Sequence, residues 1–396
     1  MERRGGRSGR TVDFDRRDPH PCYARARAAD GLTFVPDLEA WLVARDADVR
    51  AVLRDPATFS SANALRPEVL PGPEAVAVLG SVPSGRPVAL TADGDDHRRV
   101  REPLTRGLSP ARVAAAVPFI TERAAALVAG FAADGRVELM GRYARVLPGE
   151  VIGHLLGLDP ADVPATVAGS HRAEDLVFRP MPVAEQVAAA GAVAGMKRTL
   201  DAHVRGRGAE PGDDLCGEMI RAIEPHGTLL SNLQNLLLAG HLTTTALIGS
   251  AVLHLLRRGQ WELLCERPEL IPAAVEETAR YEAPIQGFRR RTTRPATLAG
   301  TRLPEGAEVF VAFAGAGRDP DVHDRPDEFD ITRPVARHLS FGHGVHACPG
   351  ARLAREQARI TLETLTRELP GLRLAEPVEM TPNLIHRSPA ELVLTW

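Results

Sequence analysis

The sequence predicts a mainly α-helical protein with a minor β portion. Helix-period patterns dominate the middle of the chain, and the last of them, Leu229–Arg258, runs for about 30 residues, or about 45 Å. Strand-like pieces lie towards both ends of the chain, outside this helical middle. No internal repeat and no Gly/Ser linker interrupts the sequence, so we expect a single domain over residues 20–396.

In chain order, residues 1–19 are charged and glycine-rich, which predicts a disordered tail. Short strands at 32–35 and 41–44 precede a helix at 46–53 that ends before Pro56. Residues 59–95 are dense in Pro and Gly, so we expect a long loop there, and long loops inside compact proteins are usually functional. Helices are predicted at 97–108, 109–133, 140–158, on either side of Met181-Pro182, and at 215–223.

The long helix is followed by shorter helices at 261–266 and 271–281 and by strands at 292–303 and 309–314. A glycine-rich loop then leads into a helix-like run, ARLAREQARITLETLTREL. The last segment, LRLAEPVEMTPNLIHRSPAELVLTW, predicts strands.

Charge and composition exclude several classes of protein. The 396 residues carry a net charge of −3, so no strong field draws the chain to nucleic acid or to an anionic membrane. The first residues lack the apolar core of a signal peptide or anchor, and we expect a cytoplasmic monomer. The four cysteines lie far apart, without the close pairs of a zinc site.

Cys348 lies in the loop FGHGVHACPG, directly before the predicted helix. A helix start with Pro349 set for the first turn would favour thiolate over thiol, and a thiolate binds metal. Glycines suit a backbone that turns sharply or lies flat against a large rigid ligand. Taken alone, the same residues also fit an inert buried cysteine in a glycine-rich turn.

The spacing Phe341-x-x-Gly344-x-His346-x-Cys348-x-Gly350 resembles the haem-thiolate loop of the cytochrome P450 superfamily, of the soluble bacterial type. The resemblance implies the cytochrome P450 fold, with haem b held between the long central helix and the cysteine-loop helix. It implies Cys348 as the iron ligand. Phe341, Gly344 and Gly350 would shape and shield the loop around the sulfur.

His97 and Arg101 are four residues apart on one predicted helix and face the same way. Alone they fit a solvated basic face. The resemblance places them on the helix whose His and Arg bind a haem propionate, and it adds Arg290 and His346 by position. Charged donors from three segments suit a carboxylate held partly out of water.

The centre of the long helix reads Ala239-Gly240-His241-Leu242-Thr243-Thr244-Thr245. Glycine costs about 1 kcal/mol relative to alanine in a helix, and threonines compete for backbone carbonyls. Threonines packed against neighbouring helices would explain the triplet. The resemblance implies instead that Gly240 lies where the helix passes over the haem and that Thr243 helps to hold dioxygen and a proton-donating water.

Leu242 departs from the family pattern, which has Asp or Glu before this threonine. Three outcomes are open: the substrate supplies a hydroxyl or amine, ordered water arrives past His241 or Thr244, or the enzyme uses peroxide or a non-hydroxylating oxidation. Leu242 also leaves open a P450-fold isomerase or a haem binder that is not an oxygenase.

Glu277 and Arg280 are three residues apart in a predicted helix, and alone they fit a surface ion pair. They resemble the structural E-x-x-R pair of the family, which a third arginine joins. Arg333 is the candidate for that position.

The resemblance implies a monooxygenase that inserts one oxygen atom into an apolar small molecule in bacterial secondary metabolism. No flavin or iron–sulfur motif follows the haem segment, so a ferredoxin and its reductase would deliver electrons. Arg99 and Arg352 are candidates for that docking patch. No nucleic acid and no membrane are expected as partners.

Overall fold

The computed structural model of the protein describes residues 13–334 and 337–396. The first twelve residues of the expected tail lie outside this range. Residues 13–19 form no helix or strand, but the ring of Phe14 lies 6.1 Å from that of Tyr23, and Arg387 donates to the carbonyl of Arg17. The first helix begins at His20.

The N-terminal part combines short helices with strands. This part opens with a helix, α1, that the sequence did not predict. Its residues Tyr23 and Ala26 are buried, but the apolar residues of this segment show no clear helical period. The elements are α1 His20–Ala28, β1 Thr33–Val35, β2 Ala40–Val43, α2 Asp46–Arg54, β3 Phe59–Ser60 and α3 Pro73–Leu79.

The helical middle follows the predicted order. Its elements are α4 Gly94–Gly107, α5 Pro110–Ala129, β4 Arg136–Glu138, α6 Val146–Leu156, α7 Val163–Phe178, α8 Val183–Gly206, α9 Leu215–Ala222, α10 His226–Arg257, α11 Trp261–Glu266 and α12 Ile271–Tyr281. A π-helical turn at Met140–Ala144 precedes α6.

The C-terminal part carries the remaining strands and the helix after the cysteine loop. Its elements are β5 Phe288–Thr292, β6 Ala296–Leu298, β7 Thr301–Leu303, β8 Glu308–Val311, α13 Phe313–Ala316, α14 Ala351–Glu368, β9 Arg373–Leu374 and β10 Val393–Thr395.

The main sheet joins the two ends of the chain. Its strand order is β1-β2-β8-β5-β3, with β2 and β8 parallel in the register Trp41↔Val309 and the other pairs antiparallel. A second sheet has the order β4-β10-β9, and β6 pairs with β7. Strand β5 lies between β8 and β3, and its Arg290 pairs with Val309 of β8.

Two hydrophobic cores hold these parts together. The larger one lies among the helices, and the smaller one lies between the main sheet, α1 and α2. Helix α10 passes through the larger core and contacts α6, α12 and α14. It is the one helix among the described residues whose length and composition would suit a membrane span, and 78% of its most apolar window is buried.

The predicted fold class, mainly α with a minor β portion, is confirmed. Three details of the prediction were wrong. The loop at 59–95 contains α3, which starts at Pro73, and the strand predicted at 309–314 ends at Val311, where α13 follows. The C-terminal segment is mostly irregular, with only β9 and β10 as named strands among its described residues.

Candidate active site

The cysteine loop is closed by its own backbone. The Cys348 N–H donates to the Phe341 carbonyl at 2.8 Å, and the Gly342 N–H donates to that of Leu339 at 2.8 Å. Gly344 has a φ of +69°, and a Cβ there would collide with the Leu53 carbonyl of α2. Glycine is therefore required at this point for the loop to lie against α2.

Cys348 lies before Gly350, the residue that caps α14, so its sulfur is outside the first helical turn. The side chain is exposed to the space beside the loop. Surrounding protein atoms nevertheless raise the pKa of the thiol above 9.0, although the Gly350 N–H, Arg101 and Arg355 act to lower it. The loop backbone and the two arginines thus favour the thiolate, as predicted, while the surrounding atoms oppose it, and a bound cation would favour the thiolate further.

Phe341 and Arg355 cover one flank of the loop. The Arg355 guanidinium lies 4.2 Å from the centre of the Phe341 ring, a cation–π contact. Arg355 also binds Glu276 of α12 at 2.6 and 2.8 Å. The loop is in this way connected to both α12 and α14.

Four side chains that can carry positive charge converge on the cysteine loop. The rings of His97 and His346 lie 4.2 Å apart, and Arg101 donates to the carbonyl of Ala347. Arg290 is buried, donates to its neighbour's carbonyl at 2.7 Å, and lies close enough to His346 for its charge to lower the pKa of that histidine. The structure thus brings together the four residues that the sequence singled out on three separate segments.

These four side chains have no anion of the described residues bound among them. Burial is the first cause that lowers the pKa of all four residues, to about 3 for His346 and to about 10 for Arg290. Nearby Asp93 is already bound by the backbone of Ser61 at 3.0 Å. The buried Nε2 of His97 has no hydrogen-bond partner among the described residues. This donor set fits a ligand with carboxylate groups.

One face of α10 borders open space. Asn235, Ala239 and Thr243, each four residues apart, keep accessible surface, whereas His241 and Thr245 are buried. The Thr243 hydroxyl donates to the Ala239 carbonyl at 2.9 Å. This is the predicted hydrogen bond from a threonine hydroxyl to the carbonyl four residues earlier in the helix.

Gly240 lies on the flank of the same helix, next to α6. A Cβ at this position would lie 3.0 Å from two side-chain carbons of Ile152, so glycine allows the two helices to approach. Leu242 is 7% exposed and packs in the core. Thr245 donates to the carbonyl of Ala144 at 2.8 Å, so this threonine packs against a neighbour, as the structural alternative expected.

The loop at 59–95 is tied to the first turns of α10. Asn232 accepts from the Ala89 N–H at 3.0 Å and donates to the Pro87 carbonyl at 2.8 Å. The Thr228 hydroxyl donates to the Arg86 carbonyl at 2.9 Å. The sequence analysis missed these contacts, although an asparagine within the apolar run of α10 was a signal.

The E-x-x-R pair is buried and joined by Arg333. Arg280 donates to both carboxylate oxygens of Glu277 at 2.7 Å, and Arg333 Nε lies 3.4 Å from the same carboxylate. Arg280 also donates to carbonyls of the segment before the cysteine loop, including Gly317 and Glu328. The triad expected from the sequence is present and holds that segment against α12.

These features define a class of protein: a helical fold in which an accessible cysteine follows a glycine-rich loop, beside a cationic cluster and the open face of a long helix. A metal centre that is bound by a thiolate and carried on a ligand with carboxylate groups fits this arrangement of residues.

Comparisons with known proteins agree with this class of protein. The family model described as Cytochrome P450 matches residues 225–370. The chain is 36% identical over 368 residues to the vitamin D(3) 25-hydroxylase of Pseudonocardia autotrophica, covering 90% of this chain and 88% of that protein. It is 35% identical over 395 residues to the cytochrome P450 monooxygenase PikC of Streptomyces venezuelae, covering 96% and 91%.

Among solved structures, the haem domain of a Tepidiphilus thermophilus P450 superposes with a TM-score of 0.91 at 30% identity, covering 98% of this chain and 97% of that one. The chain belongs to the cytochrome P450 family. It is a P450 monooxygenase of the bacterial type, and its cofactor is haem iron.

Proposed function

We propose that Cys348 binds the iron of haem b, held between α10 and the cysteine loop. The observation that carries this proposal is the convergence of His97, Arg101, Arg290 and His346 around the loop of that cysteine. When bound, haem with a thiolate ligand supplies dioxygen activation and the transfer of one oxygen atom to substrate. Coordination would also keep Cys348 deprotonated against the surrounding protein atoms that raise the pKa of its thiol.

The cationic group would hold the haem propionates. Two carboxylates would give His97 Nε2 its missing partner and would offset the burial of Arg290. Phe341, Gly344 and Gly350 would shape the loop on the sulfur side. Gly344 supports this because a side chain there would push the loop off α2.

On the other side of the haem, Thr243 would orient a water molecule over the open face of α10. Its Oγ1 is accessible and donates to the Ala239 carbonyl, so it has a lone pair free to accept from water. Gly240 allows the close approach of α6. Leu242 provides no acidic group at the position next to Thr243, so protons must come from another part of the protein, from substrate or from water.

We infer an apolar small molecule of bacterial secondary metabolism as the substrate. The relatives include the vitamin D(3) 25-hydroxylase, the erythromycin C-12 hydroxylase and the mycinamicin IV hydroxylase/epoxidase. The loop at 59–95, with α7 and α8, would form the roof.

We propose that the protein is a cytoplasmic monomer that receives electrons from a ferredoxin and its reductase. Arg99 and Arg352 are exposed and stand close in sequence to the haem-binding candidates Arg101 and Cys348. Arg99 pairs with Asp96 at 3.1 Å, so Arg352 is the freer of the two charges among the described residues.

The test combines a spectrum with turnover. The reduced carbon monoxide complex should show the strongly red-shifted band of thiolate ligation in the wild type, and Cys348→Ala should lack it. Product formation should require dioxygen, ferredoxin and reductase. Turnover driven only by peroxide, or none with a bound substrate, would favour the alternative of a non-hydroxylating or non-oxygenase haem protein. Cys265→Ala, at a cysteine remote from the loop, is the matched control.

A further inference from the structure

Leu242 leaves a gap in the chemistry of the proposed monooxygenase, and the following inference rests on that proposed function. Cleavage of dioxygen consumes protons on the accessible side of α10, near Thr243. In this chain the residue before that threonine is a buried leucine. An acid–base group of the protein within reach of this helical turn is one of the three proton sources named above.

A buried histidine lies next to Leu242. His241 Nδ1 lies 2.6 Å from the Leu237 carbonyl, and because a carbonyl only accepts, Nδ1 carries the hydrogen. The other nitrogen, Nε2, is therefore an acceptor, and it is buried without a partner among the described residues. The ring of His171, on α7, lies 4.7 Å from the His241 ring in edge-to-face contact.

Glu174, also on α7, is the next member of this cluster. It lies three residues after His171, so the two side chains share a face of the helix. His386 Nδ1 lies 2.5 Å from the Glu174 carboxylate, and Asn383 Nδ2 donates to the same oxygen at 2.8 Å. The Asn383 side chain in turn accepts from the backbone of Ile385 and of His386, which fixes this C-terminal loop.

The charges around the cluster keep Glu174 ionised. Burial opposes its charge, but His386, His171 and Asn383 together lower the pKa of its carboxyl below 4.5. Burial lowers the pKa of His171, and the charges of Arg145 and His386 lower it further. The carboxylates of Glu174 and Asp175 act in the opposite direction and raise it.

Burial is also the first cause that lowers the pKa of His241, to about 3, and His171 and His386 add to it while the Leu237 carbonyl and Glu174 oppose it. His241 is therefore neutral at neutral pH.

Access to solvent separates the two ends of the cluster. The side chains of Glu174 and His386 are 14% and 12% exposed, whereas His241 is fully buried. Protons can therefore be exchanged with water at the Glu174 end. The cluster runs from that end, through His171, to the residue next to Leu242.

We propose that Glu174, His386 and His171 form the acid–base group that takes the place of the missing carboxylate at position 242. A proton held between His386 Nδ1 and the Glu174 carboxylate moves to His171 and from there to water at the turn of α10 that carries His241 and Leu242. Water at the partly exposed end replaces it. Only N–H and O–H bonds are made and broken, and no electrons are transferred. Glu174 acts as a positioning residue because it works through His171 and touches no reacting atom.

The test compares Glu174→Gln with Asp175→Asn. Asp175 is the next residue on α7 and pairs with Arg172 and Arg179 at the surface, so it controls for loss of a carboxylate from this helix. Glu174→Gln should lower the product formed per NAD(P)H severalfold and enlarge the solvent isotope effect, while Asp175→Asn should match the wild type. Adding Leu242→Glu to Glu174→Gln should restore coupling.

A second measurement does not depend on turnover. In histidine-labelled protein, NMR titration should show a lower pKa for His171 in Glu174→Gln than in the wild type, and a smaller decrease in Asp175→Asn, because Glu174 raises this pKa more than Asp175 does. Unchanged coupling in Glu174→Gln would overturn the proposal. Lost coupling that Leu242→Glu does not restore would also overturn it, because it would show a merely structural role. A wild type without thiolate ligation would instead refute the proposed function.

Discussion

The imidazole rings of His97 and His346 lie 4.2 Å apart, although one belongs to α4 and the other to the cysteine loop. Two histidines with Arg101 and Arg290 beside them are unfavourable as a charged group unless an anion is present, because burial lowers the pKa of each and neighbouring cations lower the pKa of the two histidines further. This relationship connects the fold to the cofactor more directly than any single motif.

Replacing Arg290 by leucine should weaken haem retention. A hydrogen bond to a charged group contributes about 1.5–3 kcal/mol, which corresponds to roughly a ten- to hundredfold faster loss of haem. Transfer of haem to an excess of apomyoglobin measures this rate. Arg98→Leu is the control, since its side chain is 77% exposed and pairs with Asp95. Equal rates for both variants would contradict a propionate role for Arg290.

Replacing Glu277 by glutamine should destabilise the fold strongly. Glu277 and Arg280 are only 4% and 2% exposed, so the variant leaves a buried guanidinium without its anion. Breaking such a pair costs about 3–5 kcal/mol. Denaturant unfolding measures the change, with Glu328→Gln as the control because its pair with Arg325 is exposed. A loss below about 1 kcal/mol would show that the triad is not required for stability.

Replacing Asn232 by alanine should loosen the roof of the site. The variant leaves the Ala89 N–H and the Pro87 carbonyl without partners, at a cost of about 1–3 kcal/mol. Hydrogen exchange over residues 85–92 should become faster while the rest of α10 is unchanged. Asn235→Ala, three residues further along the same helix, should leave this exchange as in the wild type.

Glu276 should make the stability depend on pH in the acid range. Burial opposes its charge, but hydrogen bonds from Arg355 and His338 prevail and lower the pKa of its carboxyl from 4.5 to about 2. Because the folded value is the lower one, its stabilising contribution is full above pH 4.5 and is lost as the pH falls to about 2. The unfolding free energies of wild type and Glu276→Gln should differ by a constant above about pH 5.

Below that range the two curves should converge, as acid titrates the carboxylate in the wild type alone. Glu269→Gln is the control, since that glutamate pairs with Arg267 at the surface. A difference that stays constant down to pH 2 would contradict the role assigned to Glu276.

The elements that could be predicted from the sequence are those with a pattern among residues close together in the chain. Apolar periodicity located α10, and the three-residue spacing of Glu277 and Arg280 indicated their pairing because it follows from helix geometry. The convergence of His97 with His346 was available only through the resemblance, since no local pattern reports a contact between such distant segments.

What escaped prediction depends on tertiary contacts. Helix α3 is seven residues long and lies in a Pro- and Gly-rich segment, so its pattern is too short to stand out. The contact between Glu174 and His386 joins α7 to a C-terminal loop that has no regular structure. Neither residue has neighbours in sequence that indicate a partner.

The one lysine of the chain allows movement of the proposed roof to be measured. Lys197, on α8, is the sole lysine of the chain. Its side chain is 7% exposed, and its ammonium group donates to the hydroxyl of Ser84 in the loop at 59–95. An amine-reactive reagent can therefore modify a lysine only when α8 separates from that loop, and the labelling rate, read by mass spectrometry, would time the separation directly. The protein in this way carries, at its one lysine, a chemical reporter of the separation of α8 from the loop at 59–95.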